Sequence, residues 1–113
     1  MSDFNTHWIL EDKTPVPCDT LEEWAMWFEK IGNRRVFLSR NGDKAVSTVF
    51  LGLDHNFDGG TPLLFETLAD VGGHDDVVDR YETWEQAERG HIYWCDKTLG
   101  IRGCLFVWED QPL

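Results

Sequence analysis

Asp54-His55, Glu66-Thr67 and His91 are the residues of this sequence whose types could do chemistry. Carboxylates and imidazoles brought together bind divalent metals or act as general acid and base. Their spacing here matches no zinc or metallohydrolase signature. Two readings stand side by side. In one, Asp54, His55, Glu66, Thr67 and His91 line a polar pocket, and the chain is a small-ligand- or metal-binding module or a small enzyme. In the other, Asp54 and His55 hydrogen-bond loop backbone, Glu66 pairs with Arg80, and His91 is a core histidine holding one hydrogen bond. No catalytic residue, cofactor or metal is assigned on these grounds. Ser47-Thr48 has no base at a recognisable spacing, and Gly59-Gly60 lacks the Lys-Ser/Thr that follows the glycines of a phosphate loop. Cys18, Cys95 and Cys104 are odd in number and form no Cys-x-x-Cys pair, so reduced thiols are expected rather than a disulfide framework.

A second set of residues stands out by charge. Glu66, Asp70, Asp75, Asp76, Asp79, Glu82, Glu85 and Glu88 place eight carboxylates in 23 residues, offset by Arg80 alone. The whole chain carries a net charge of −11 over 113 residues. It is unevenly spread: residues 54–113 hold 13 acidic and 4 basic side chains, whereas residues 1–53 hold 8 and 6. Such a field repels phosphates, so direct nucleic-acid binding is not expected. A carboxylate row could instead imitate a phosphate backbone or engage a basic protein surface. A solvated face, with first-turn carboxylates favoured by the helix dipole, is the alternative.

The elements that must position these residues are legible in part. His7–Leu10 reads as a short first strand or an extended arm, followed by a polar stretch whose Pro15 and Pro17 exclude helix. Thr20 with Glu23 forms a capping-box pattern, and Leu21, Trp24, Ala25, Phe28 and Ile31 follow at helical spacing, which predicts a helix over 20–31. Strands are expected over 35–40 and 45–53, joined by a hairpin at Asn41-Gly42, and over 63–68 after a turn-rich loop at 54–62. Residues 71–79 read as an acidic loop. Thr83 with Gln86 repeats the capping pattern and opens a helix over 83–97, on which Trp84, Ala87, His91 and Trp94 or Cys95 share a face. Gly90 inside it suggests a close approach by another backbone segment. A last strand is expected over 104–108. The order predicts an α+β domain spanning 1–113: a mostly antiparallel sheet of about four to five strands with two helices packed on it. With an apolar share of 42% and an acidic N-terminus without a signal-peptide pattern, a cytoplasmic protein with no membrane span is expected.

The run Val46-Ser47-Thr48-Val49-Phe50-Leu51-Gly52-Leu53-Asp54-His55 carries a resemblance. It continues through Gly60-Thr61-Pro62-Leu63-Leu64-Phe65-Glu66-Thr67 and Arg80-Tyr81-Glu82-Thr83-Trp84-Glu85-Gln86-Ala87-Glu88-Arg89-Gly90-His91. Over roughly residues 34–91 the chain resembles a family of small proteins of tailed phages and prophages with no assigned activity. Where such relatives have a Met-containing stretch after Glu66-Thr67, this chain reads Leu68-Ala69-Asp70-Val71. The resemblance implies a phage setting inside a host cell. Small phage accessory proteins often bind and modulate a host or phage protein, anti-defence inhibitors included. The expectation drawn from residues and resemblance together is such a protein, using its acidic half against a partner with a basic, nucleic-acid-binding surface.

Overall fold

A computed structural model describes residues 7–30, 35–54, 56 and 60–100. The hydroxyl of Thr20 accepts from the Glu23 amide at 3.1 Å and opens helix α1, Leu21–Glu29. Thr83 does the same for Gln86, also at 3.1 Å, and opens α2, Trp84–Leu99. Each hydroxyl satisfies one of the amides a helix start leaves unbonded. Ahead of α1, β1 (Trp8–Glu11) and β2 (Thr14–Pro17) form a two-stranded antiparallel ribbon. The proline-bearing segment is thus a strand. A two-stranded ribbon has outer edges that need no amide donor, which is where proline is tolerated.

The main sheet is an antiparallel meander of four strands: β3 (Arg35–Asn41), β4 (Lys44–Phe50), β5 (Phe65–Val71) and β6 (His74–Tyr81). The expected neighbours pair, with Thr48 opposite Thr67 and Phe50 opposite Phe65. The architecture is the α+β arrangement that the sequence predicts. One expectation is corrected. Residues 71–79 are a hairpin and a strand rather than a loop. Gly72 and Gly73 both take positive φ, 64° and 83°, which makes a two-residue turn whose twist suits a hairpin. The β-branched pair Val77-Val78 continues the extended backbone. The carboxylates are accommodated because β6 is the outermost of the described strands and only its Tyr81 is buried. The strand expected over 104–108 lies outside the described residues.

Side chains alternate across the sheet, and α2 covers one face. That face carries Phe37 and Ser39 of β3, Val46, Thr48 and Phe50 of β4, Phe65, Thr67 and Ala69 of β5, and Tyr81 of β6, all buried. Ala87, His91, Cys95 and Leu99 of α2 are buried against it. Gly90 lies one residue from His91, and a Cβ there would collide with the Tyr81 ring, so glycine lets α2 and β6 approach. What approaches is a side chain rather than backbone. Helix α1 sits at the sheet's other end, where Trp27 meets Phe50 edge-on at 5.6 Å and the Trp24 indole donates to Gly52 O at 3.0 Å. None of its residues is fully buried. No described helix is long and apolar enough to cross a membrane.

Candidate functional site

His91 is fully buried, and both of its ring nitrogens meet hydroxyls. Nδ1 lies 2.8 Å from Thr48 Oγ1 and Nε2 lies 3.0 Å from Ser39 Oγ. The chain continues from Thr48 to Thr67 Oγ1 at 2.7 Å, and the Tyr81 hydroxyl donates to Thr67 at 3.0 Å. Five side chains from β3, β4, β5, β6 and α2 are thus joined in one line. A neutral imidazole, with one N–H and one lone pair, satisfies both neighbours. Burial of the charged form pushes the His91 pKa down to about 4, and burial likewise pushes the Tyr81 phenol up to about 12. The network therefore stays uncharged across neutral pH. Ser39, sealed at 1% exposure, has no route to a substrate despite its imidazole neighbour. The line locks helix to sheet, because a broken link would leave a buried polar atom unpaired. His91 is the core histidine of the second sequence reading, with two hydroxyl contacts instead of one.

The other sequence candidates separate. Thr67 joins His91 on the covered face. Glu66, its neighbour in β5, points to the opposite face and accepts from Arg80 Nε at 3.1 Å. Asp54 Oδ1 accepts from the Asn56 amide at 2.8 Å and the Leu63 amide at 3.1 Å, so its carboxylate closes the 54–62 loop. His55 lies outside the described residues. Glu66 and His91 are divided by the sheet itself, so these residues share no single pocket. Among the described residues no three His, Cys, Asp or Glu side chains cluster closely enough to hold a metal ion.

The acidic residues follow one another along β6 and into α2, on both faces of the strand. Asp75, Asp76 and Asp79 stand exposed on β6, and Glu85 is exposed in the first turn of α2, with Glu82 and Glu88 half-buried beside it. Their local neutralisation is slight. Arg80 is committed to Glu66, and His74 Nε2 lies 3.3 Å from Asp76 Oδ1 at a wholly exposed position. Asp79 Oδ1 accepts from the Arg80 amide at 3.0 Å, and its other oxygen accepts from the Trp94 indole at 3.4 Å. Asp70 sits directly across from Asp75 on the face opposite α2, and its Oδ1 is enclosed without a hydrogen-bond partner among the described residues. Two carboxylates opposed in this way cost stability. The sequence showed the charge but not the strand that aligns it. No family model, curated protein or solved structure matches the chain.

Proposed function

We propose that this chain is a small acidic accessory protein of a tailed phage or prophage that binds and modulates a protein partner, in the manner of an anti-defence inhibitor that occupies a nucleic-acid-binding surface. The observation that carries the reading is the run of exposed aspartates along β6, Asp75 on the face opposite α2 and Asp76 and Asp79 on the α2 face, followed in the chain by Glu82, Glu85 and Glu88 at the start of α2. Fixed carboxylates on a rigid strand and helix present a defined pattern to a basic surface, with little ordering entropy left to lose. Their opposed placement at Asp70 and Asp75 costs folding energy, which a cationic partner would relieve. Nothing comparable supports a ligand pocket, since Glu66 and His91 lie on opposite faces and Asp54 is committed to its loop.

The test is affinity capture from host lysate with the wild-type chain and with Asp75→Lys, Asp76→Lys, Asp79→Lys combined. A partner held by the acidic face is recovered by the wild type and lost from the triple variant. It is also displaced by added nucleic acid if it is bound at a nucleic-acid surface. A partner recovered equally by both chains would remove the acidic face from the account.

A further inference from the structure

We infer that the outer edge of β6 is a strand-addition site for a basic, extended segment of a partner protein. The inference rests on the acidic-face reading above and specifies how that face is used. The four strands run in the order β3-β4-β5-β6, so β6 has a neighbour on one side only among the described residues. An outer strand presents a row of unbonded amides and carbonyls, and proteins usually guard such rows with proline, lysine or a covering element. β6 contains no proline or lysine, and α2 packs on one face of it, with the Trp94 indole on Asp79. Its guards are acidic, and they are selective guards.

The register shows what they select. Residues His74 to Val77 pair regularly with β5, and Val78 is the extra residue of a bulge between Val77 and Asp79. Regular pairing on the outer side is therefore confined to His74–Val77, because a bulge bends and re-aims the strand beyond it. Within that stretch Asp75 points to the face opposite α2, beside Asp70, and Asp76 points to the face of α2. Val77, 47% exposed, lies on the face opposite α2 next to Leu68. An added strand with adjacent cationic residues would set one opposite each aspartate, and an apolar residue would cover Val77. A second copy of this chain is the wrong occupant. With a net charge of −11 on each copy, pairing two β6 strands would set aspartate against aspartate.

The probe is the peptide acetyl-Lys-Val-Lys-Lys-Val-Lys-amide, titrated into the full chain with amide shifts followed by NMR. Its controls are the same peptide N-methylated at every backbone nitrogen and a counterpart with glutamate for lysine. Strand addition predicts shifts concentrated on His74–Val77 and no binding by the glutamate peptide. It also predicts about tenfold or greater weakening on N-methylation, the loss expected when two or three backbone hydrogen bonds go. Equal binding by the N-methylated peptide would overturn strand addition and leave the acidic-face reading intact, since charge alone would then suffice. Outward β6 amides already protected from exchange in the free chain would overturn it too. If the lysine peptide does not bind and the captured partner ignores charge reversal, both readings fall.

Discussion

Lowering the pH should destabilise this protein through one buried imidazole. In the folded chain His91 takes up a proton only near pH 4, whereas in the unfolded chain it does so near 6.5. Between these values the unfolded state binds more protons, so stability rises with pH; it is fully present above 6.5 and lost as pH falls toward 4. The gap corresponds to about 3 kcal/mol at ~1.4 kcal/mol per pH unit, a large share of the ~5–15 kcal/mol that holds a domain of this kind. Its structural origin is the burial of the ring, which disfavours the charged imidazolium. The hydroxyls of Ser39 and Thr48 and the ring of Phe37, 5.3 Å away, are its surroundings. The assay is a set of urea midpoints across this pH window for wild type and His91→Gln, which keeps a polar group but cannot titrate. The exposed carboxylates contribute to both chains and cancel in the difference. Wild type should lose stability more steeply than the variant, and identical slopes would refute the reasoning.

Three further outcomes follow from the same geometry. Tyr81 titrates near 12 when folded and near 10 when unfolded, so its contribution is complete below 10 and lost as pH rises toward 12. In a Tyr93→Phe background, which leaves Tyr81 as the one tyrosine, phenolate absorbance should therefore appear together with unfolding rather than before it. Gly90→Ala should cost about 1–3 kcal/mol by overpacking against Tyr81, despite alanine's better helix propensity, as read from the thermal midpoint. His91→Ala should lower the urea midpoint by about 1–3 kcal/mol while partner capture persists, because the side chain is buried away from the acidic face.

Local signals were the readable ones. Both capping hydroxyls act as their sequence patterns predict, although the reciprocal bond of the second runs from the Glu82 amide to Gln86 Oε1, one residue earlier than expected. The Asn41-Gly42 hairpin and the pairing of β4 with β5 were legible because turn chemistry and β-branched runs are written in neighbouring residues. β6 was not, because an outermost strand need not alternate apolar and polar residues, and three aspartates beside two glycines resemble a loop. The line from Ser39 to Tyr81 was out of reach for a different reason. Its members come from five elements, and only the register, with Phe37, Thr48 and Thr67 aligned across three strands, brings them under His91. Of the proposed pocket, strand alternation alone separated Glu66 from Thr67, a consequence of period two that holds once both lie in β5.

The central claim is that carboxylates aligned on β6 and the start of α2 steer and hold a basic partner. The most direct measurement is the association rate of the captured partner as salt is raised from 0.1 M to 1 M, where the screening length falls from about 10 Å to about 3 Å. The account predicts a rate that falls steeply with salt for the wild type. It predicts a slow, nearly salt-independent rate for the chain carrying Asp75→Lys, Asp76→Lys and Asp79→Lys, with an unchanged fold. A wild-type rate indifferent to salt, and matched by the charge-reversed chain, would contradict it.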